Sequence, residues 1–238
     1  MLLPHPMESY EPQARSFNHV NKSNPKLTWG SKFEIHCLQS LENAPLNCLI
    51  GDSHIERLSG PLLLPLTQAT LRGWRNLGVG GDKAENILWR LQHGGFPSNP
   101  HKVILMSGSN NLNTGTSKNI SMTANTIIKT VNTLSDTYPE IEIAVVGVLP
   151  REGERKCQAA RTVNDLLKFK LPTHVSYISP PNILFNRGGT PNTRFFYDDV
   201  HLNPKGYRVL LDSLGPFIKC RIHLIIQETL LTTPLSAN

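Results

Sequence analysis

The sequence lacks several features that would place it in a special class of protein. No apolar run approaches the roughly 20 residues of a membrane-spanning helix. The N-terminus, MLLPHPMESY, lacks the basic region and long apolar core of a signal peptide. Only four of the 238 residues are cysteine, too few and too scattered for a disulfide framework, and no CxxC or His-x₃-His spacing suggests a zinc site. We therefore expect a soluble, cytoplasmic protein with no metal and no cofactor, whose glycosylation sequons at Asn21 and Asn119 stay unmodified.

Charge and aromatic side chains are also sparse. Charged residues make up 18% of the chain and aromatic residues 7%, and the formal net charge is +6. The densest basic stretch, from Arg151 to Arg161, also contains Glu152 and Glu154, and no basic run is interleaved with aromatic residues. Mild basicity of this kind bears on solubility and weak association, so we expect no nucleic-acid partner.

The chain divides into three parts by composition. Residues 1–44 are polar and have no sustained hydrophobic period, which predicts a loosely ordered extension, although Trp29 and Phe33 could dock on the domain. Deleting residues 1–40 is then expected to leave a folded and active domain. Residues 45–220 alternate between apolar strands and amphipathic helices, and residues 221–238 form a short C-terminal extension.

The middle part has the pattern of an α/β domain. Apolar or β-branched runs predict five strands, at 46–50, 74–79, 103–106, 141–149 and 175–178. Helical periodicity predicts a helix capped by Asp82 and three more helices, at 117–134, 154–169 and 204–217. This alternation predicts about five parallel strands with helices on both faces. The loops at the carboxyl ends of such strands carry the functional residues.

The first candidate site residue is Ser53, in the stretch Gly51-Asp-Ser-His54 directly after the first predicted strand. A serine at a strand-to-helix turn could simply cap the following helix. It could also stand at the functional edge of the sheet as a nucleophile. The chain contains no G-x-S-x-G, which argues against the nucleophile elbow of an α/β-hydrolase.

Two further candidates follow the second and third predicted strands. Asn76-Leu-Gly-Val-Gly-Gly-Asp82 resembles a dinucleotide-binding loop, but Lys83 stands where the third glycine belongs. The alternative is a tight turn whose Gly81 N–H points at the functional edge. After the third strand, Asn110 could be an ordinary turn residue. Its side-chain amide is also a suitable donor to a developing oxyanion.

The last candidate pair is Asp198 and His201, just before the final predicted helix. A lone histidine here could cap the helix or lie half-buried. Residues three apart in a helical turn lie on the same side, so Asp198 can accept from one imidazole nitrogen and leave the other free as a base. Asp199 points elsewhere and is interpreted as a solvated neighbour. With Ser53 and the oxyanion donors, this pair completes the roles of a serine hydrolase.

The four blocks resemble those of the SGNH hydrolases, also called the GDSL esterase family. They match in the family's order, within residues 47–217, as Ser53 in GDSH, Gly81 in NLGVGGD, Asn110 in GSNN, and His201 with Asp198 in DDVH. Within the family the sequence looks most like the branch of platelet-activating-factor acetylhydrolase Ib catalytic subunits. That likeness is carried by NLGVGGDKAENILWRL, GSNN, VVGVLPR and YDDVHLNPKGY.

The resemblance implies a flavodoxin-like, three-layer α/β/α fold, with no metal, and suggests a homodimer and a WD-repeat partner. It implies a triad of Ser53, His201 and Asp198, and an oxyanion hole formed by Ser53, Gly81 and Asn110. The implied reaction is hydrolysis of short-chain, acetyl-type esters of lipid or carbohydrate. Two alternatives stay open, a catalytically idle binding or scaffold module with this fold and an esterase domain of retroelement origin.

Two departures from that branch concern the acyl pocket. His54 and Val200 occupy the positions that flank the pocket in the branch, where an apolar residue and a leucine are usual. A smaller Val200 would widen the pocket, and a polar His54 would contribute less apolar contact. We therefore expect acetyl selectivity to be relaxed toward propionyl and butyryl esters, unless His54 simply faces the first helix.

Overall fold

A computed structural model of the chain describes residues 8–20, 27–41, 46–112 and 115–219. The predicted C-terminal extension, residues 221–238, lies outside these ranges. The strands are β1 (Leu46–Gly51), β2 (Trp74–Gly78), β3 (Pro100–Met106), β4 (Glu142–Val146) and β5 (Ser176–Ile178). The helices are α1 (Trp29–Ser40), α2 (Ser53–Glu56), α3 (Leu64–Thr70), α4 (Ala84–Gln92), α5 (Ser117–Thr137), α6 (Glu154–Lys170) and α7 (Pro204–Lys219).

The five strands form one parallel sheet in the order β2-β1-β3-β4-β5. Helices cover both faces. Along β3, Val103 and Leu105 join the hydrophobic cluster under α4, α5 and α6, whereas Ile104 and Met106 join the cluster under α2, α3 and α7. Because both faces are buried, the strand reads as a continuous apolar run. The predicted α/β fold with three layers is confirmed.

The carboxyl ends of the three neighbouring strands β2, β1 and β3 meet around Gly51. Gly51 pairs with Gly78 on one side and with Met106 on the other. A Cβ at Gly51 would collide with the Met106 carbonyl and with Ile55, so only glycine fits there. The loops that leave these strands therefore start side by side, as parallel pairing requires.

Residues 8–20 and 27–41 of the N-terminal segment contact the domain, whereas the sequence predicts a loosely ordered extension over residues 1–44. Residues 29–40 form α1, which begins with a capping box between Thr28 and Ser31. Trp29 is 1% exposed and packs with Phe33 and Val79. The buried face of α1 includes Trp29, Phe33, His36 and Ser40. Because two of these residues are polar, the sequence does not show the hydrophobic period of an amphipathic helix.

Residues 8–20 add further contacts between this segment and the domain. The backbone N–H of Tyr10 donates to Thr126 Oγ1 on α5 over 2.8 Å. The backbone of Gln13 pairs with α4, donating to the Glu85 carbonyl over 3.2 Å and accepting from the Asn86 side chain over 2.7 Å. The segment is thus held by its backbone against two helices. The domain boundaries near residues 44 and 220 stay a prediction.

Within the described ranges, no helix combines the length and apolar character needed to cross a bilayer. Among the same residues, Cys37, Cys48 and Cys157 are free thiols. The described part of the chain also contains no group of three or more His, Cys, Asp and Glu side chains that could hold a metal ion.

Candidate active site

Ser53 is the first residue of α2 and lies at the carboxyl edge of the sheet. The turn into this helix is capped by Asp52, whose side chain accepts from the His54 N–H over 3.0 Å. Ser53 is therefore not needed as the cap, and its hydroxyl is free for another partner. That partner is His201 Nε2, 3.0 Å from Ser53 Oγ, although the two residues are 148 positions apart in the chain.

Asp198 holds the other side of the His201 ring. Its Oδ2 lies 2.8 Å from His201 Nδ1, and its Oδ1 accepts from the backbone N–H groups of Val200 and His201 over 2.8 and 2.7 Å. Partial burial acts to raise the pKa of Asp198, but the hydrogen bonds from His201 and Val200 outweigh it and lower the pKa to about 2. The carboxylate is therefore ionised at neutral pH and accepts from Nδ1–H, which leaves Nε2 able to accept from Ser53.

Asp199 points away from His201. A hydrogen bond with the Glu152 carboxylate and the charge of that group raise the pKa of Asp199. Its backbone carbonyl accepts from the Glu152 N–H over 2.9 Å. The residue is exposed and belongs to a surface pair, so the geometry separates the two neighbouring aspartates as the spacing predicts.

A hydrogen bond joins the glycine loop after β2 to the Asn110 turn after β3, and these two strands flank β1, which ends just before Ser53. Gly81 has a left-handed backbone with φ of +80°, which favours glycine. Asn110 lies in a short 3₁₀ turn, and its Nδ2 donates to the Asp82 carbonyl over 2.8 Å. An amide nitrogen carries two hydrogens, so the second stays available to a substrate. The structure thus joins the two predicted oxyanion donors, Gly81 and Asn110, through Asp82.

Asp82 has a different place from the one that the sequence predicts. The helix cap of α4 is Lys83, and Asp82 is fully buried one residue earlier. Its carboxylate accepts from Trp29 Nε1 over 2.7 Å and from Arg90 Nε over 2.9 Å. A buried charge needs such partners. The prediction of Asp82 as a cap is wrong because the tertiary structure supplies two other donors, the neutral indole N–H of Trp29 and the charged guanidinium of Arg90.

His54 packs beside the candidate base rather than toward solvent. It is 1% exposed, and its ring centroid lies 5.7 Å from that of His201. Neither ring nitrogen has a hydrogen-bond partner among the described residues. Burial, followed by the charge of His201, lowers the pKa of His54 to about 3, so the ring is neutral. Val200 is half-buried and touches Asp198 through its backbone. The roles of His54 and Val200 toward an acyl group stay predictions.

Two buried ionisable groups next to the site residues were not singled out from the sequence. Arg151, in the VVGVLPR stretch, is 7% exposed and donates from Nη1 to the Ser109 carbonyl, next to Asn110. Asp52 is 1% exposed, and burial raises its pKa to about 7 against the opposing hydrogen bond from the His54 N–H. Arg151 lies in the VVGVLPR block and Asp52 in the GDSH block. Only the fold shows that both are buried, with Arg151 bound to the residue before Asn110 and Asp52 bound to the residue after Ser53.

Comparisons with known proteins concern the family and the fold of the chain. The model of the GDSL-like Lipase/Acylhydrolase family matches residues 49–209. The human protein named platelet-activating factor acetylhydrolase IB subunit alpha2 is 26% identical over 211 residues, which cover 87% of this chain and 86% of that protein.

Two solved structures share the fold. A GDSL-like lipase from Bacteroides thetaiotaomicron superposes with a TM-score of 0.64 at 12% identity, over 80% of this chain and 98% of that one. An acetylxylan esterase from Geobacillus stearothermophilus has a TM-score of 0.53 at 15% identity, over 76% of this chain and 96% of that one. At identities this low, the similarity shows that the fold is shared and nothing more.

Proposed function

The chain belongs to the GDSL-like lipase/acylhydrolase family of ester hydrolases, and we propose that it cleaves short-chain acyl esters with Ser53 as nucleophile. One observation carries the proposal, the continuous chain of hydrogen bonds from Ser53 Oγ through His201 to Asp198, with distances of 3.0 and 2.8 Å. These are the distances at which a base can take a proton from a hydroxyl and a carboxylate can orient that base.

In the first half of the reaction, Ser53 Oγ attacks the carbonyl carbon of the ester while its proton moves to His201 Nε2. Asp198 keeps the Nδ1–H tautomer and stabilises the imidazolium that forms. The carbonyl oxygen becomes an oxyanion, which the N–H groups of Ser53 and Gly81 and the amide of Asn110 stabilise. Collapse of this intermediate breaks the ester C–O bond, and His201 gives its proton to the leaving alkoxide.

In the second half, a water molecule attacks the acyl group on Ser53. His201 Nε2 accepts the proton of this water, and the same donors stabilise the second oxyanion. The acid is released and the proton returns to Ser53 Oγ. Every proton in this cycle moves between substrate, water, Ser53 and His201.

For the substrate, we propose acetyl-type esters of lipid or carbohydrate. The names of the human acetylhydrolase and the acetylxylan esterase support this class. We keep the cytoplasmic location, the homodimer and the WD-repeat partner as predictions, and sedimentation of the full chain tests the dimer.

A fluorophosphonate label tests the proposed function directly. We expect the reagent to modify Ser53 in the wild-type protein and in S59A, in which an exposed serine after α2 is removed as a control. S53A should lose both the label and ester hydrolysis while keeping its melting temperature. A wild-type chain that resists the label at Ser53 would instead support the idle binding module.

A panel of acetyl, butyryl and octanoyl esters tests the acyl pocket. One methylene in an apolar pocket changes selectivity by about 10- to 200-fold. We expect the wild-type chain to accept butyryl esters and the double variant H54L/V200L to regain preference for acetyl esters in kcat/KM. A wild-type enzyme confined to acetyl esters, or an unchanged profile in the double variant, would contradict this role of His54 and Val200.

A further inference from the structure

The N-terminal segment brings a cation to the loop that carries Gly81. Arg15 Nη1 donates to the Gly80 carbonyl over 3.1 Å, and Arg15 Nη2 donates to His19 Nε2 over 2.7 Å. The approach is close, because a Cβ added to Gly81 would collide with Nη1. Arg15 lies outside residues 49–209, which match the family model, and in a segment that the sequence predicts to be loose.

The Gly80 carbonyl and the Gly81 N–H belong to the same peptide group. That group is planar, and its C=O and N–H point in opposite directions. A guanidinium on the oxygen therefore leaves the N–H facing away from Arg15, where the described residues offer it no acceptor. Hydrogen bonds in a chain polarise one another, so a charged donor on the oxygen makes the N–H a stronger donor and fixes its direction.

A second contact from the same segment holds the other side of Gly81. Trp29 Nε1 donates to the buried Asp82 carboxylate over 2.7 Å, and the Asp82 carbonyl accepts from Asn110 Nδ2 over 2.8 Å. Both neighbours of Gly81 therefore accept a hydrogen bond from this segment. The Gly80 carbonyl accepts from Arg15, and the Asp82 carboxylate accepts from Trp29. One donor comes from residues 8–20 and the other from residues 27–41.

We infer that Arg15 is a positioning residue of the oxyanion hole, which polarises the Gly80–Gly81 peptide so that its N–H stabilises the transition state. The inference rests on the proposed role of Gly81. Arg15 does not touch the reacting atoms in this arrangement. Replacing Arg15 should therefore weaken stabilisation of the transition state and lower kcat. It should leave the KM for a neutral ester nearly unchanged.

The variants R15A, R15Q and R15K test this in the full chain, with K118A as the matched control. Lys118 also faces the N-terminal segment, with its Nζ 4.0 Å from Glu8 Oε2, but it lies on the exposed surface of α5. Rates are compared at temperatures where each variant is fully folded by circular dichroism. If R15A does not fold, R15Q carries the comparison, because its amide preserves a donor without the charge.

For a neutral acetyl ester we expect R15A to lower kcat by about 10- to 100-fold, less than the 10²–10³-fold usual for a direct oxyanion donor, with KM within about threefold. R15Q should fall in between and R15K should recover most of the rate. The affinity for a trifluoromethyl ketone, which places an oxyanion in the hole, should fall in parallel with kcat/KM. Millimolar guanidinium should restore part of the R15A rate and leave K118A unchanged.

Three results would overturn the inference. They are a kcat of R15A within twofold of wild type, an equal loss in K118A, or a loss confined to KM for esters that carry a negative charge, which would make Arg15 a substrate-binding residue. These results can be told apart from a failure of the proposed function, because fluorophosphonate labelling of Ser53 tests that function separately. A chain that labels at Ser53 but is indifferent to Arg15 loses only the inference.

Discussion

Two regions of this protein meet at the carboxyl edge of the sheet, and they differ in how their side chains reach it. The triad region consists of Ser53, Asp198 and His201, each placed within a turn by local backbone geometry. The brace region consists of residues 8–20 and 27–41, whose Arg15 and Trp29 contact the glycine loop across more than 50 positions of sequence. The two regions therefore follow different rules of placement. The side chains of the triad region are placed by a strand end and by a tight turn, whereas those of the brace region are placed by packing between distant segments.

The largest expected effect is a loss of kcat when Asp198, the acid of the triad region, is replaced. D198N should lower kcat by about 10⁴-fold, by analogy with the protease triad, because an amide no longer enforces the Nδ1–H tautomer of His201. D199N, the adjacent control, should stay near the wild-type rate since Asp199 pairs with Glu152 instead. Steady-state kinetics on an acetyl ester measures both. If D199N is the more damaged variant, the acid has been assigned to the wrong residue.

A smaller loss is expected where the two regions meet, at Asn110. N110A should lower kcat by roughly 10²–10³-fold with little change in KM, the usual result for one oxyanion donor. Asn111 is a useful contrast, because its Oδ1 accepts from the Ala84 N–H over 2.9 Å and its Nδ2 donates to Glu85 Oε2 over 2.7 Å. N111A should therefore lower the melting temperature more than N110A does. A change in KM alone for N110A would indicate a role in substrate binding only.

Substitutions in the brace region should lower the free energy of unfolding. W29A removes a fully buried indole and should cost about 3–5 kcal/mol of unfolding free energy. W29F preserves much of the packing and removes only the donor to Asp82, so it should cost about 1–3 kcal/mol. Urea denaturation measures both. The same contacts predict that deleting residues 1–40 impairs folding, which reverses the expectation drawn from sequence. A stable, active deletion variant would restore that expectation.

The last effect is a pH dependence of stability contributed by Asp52. Burial raises its folded pKa to about 7, whereas an unfolded aspartate titrates near 3.9. Between these values the folded state holds a proton that the unfolded chain has lost, so this contribution to stability falls as pH rises from about 4 to about 7. D52N cannot ionise and preserves an acceptor for the His54 N–H. Its melting temperature relative to wild type should therefore rise across this window, and a constant difference would contradict the raised pKa.

Much of the triad region was accessible from the sequence because its signals are local. Strand ends carry Ser53 and Asn110, and the three-residue spacing of Asp198 and His201 lies within one turn. The α/β fold follows from the alternation of β-branched runs and amphipathic helices, and it is confirmed. Asp82 is the exception to these local predictions. Its sequence position favours a helix cap, but its carboxylate binds Trp29 and Arg90 instead, and no local pattern indicates that these residues are close.

By itself, the sequence determined the fold class, the family and the edge of the sheet at which Ser53, Gly81, Asn110 and His201 gather. These follow from periodicity and short motifs, which depend on neighbours a few residues apart. Only the tertiary structure decided that residues 8–20 and 27–41 pack on the domain, that Asp82 is buried between Trp29 and Arg90, and that the Arg15 guanidinium lies on the Gly80 carbonyl. Such contacts join segments that are distant in the chain. They arise because buried charges and backbone groups must find partners wherever the fold brings them, which no local spacing encodes.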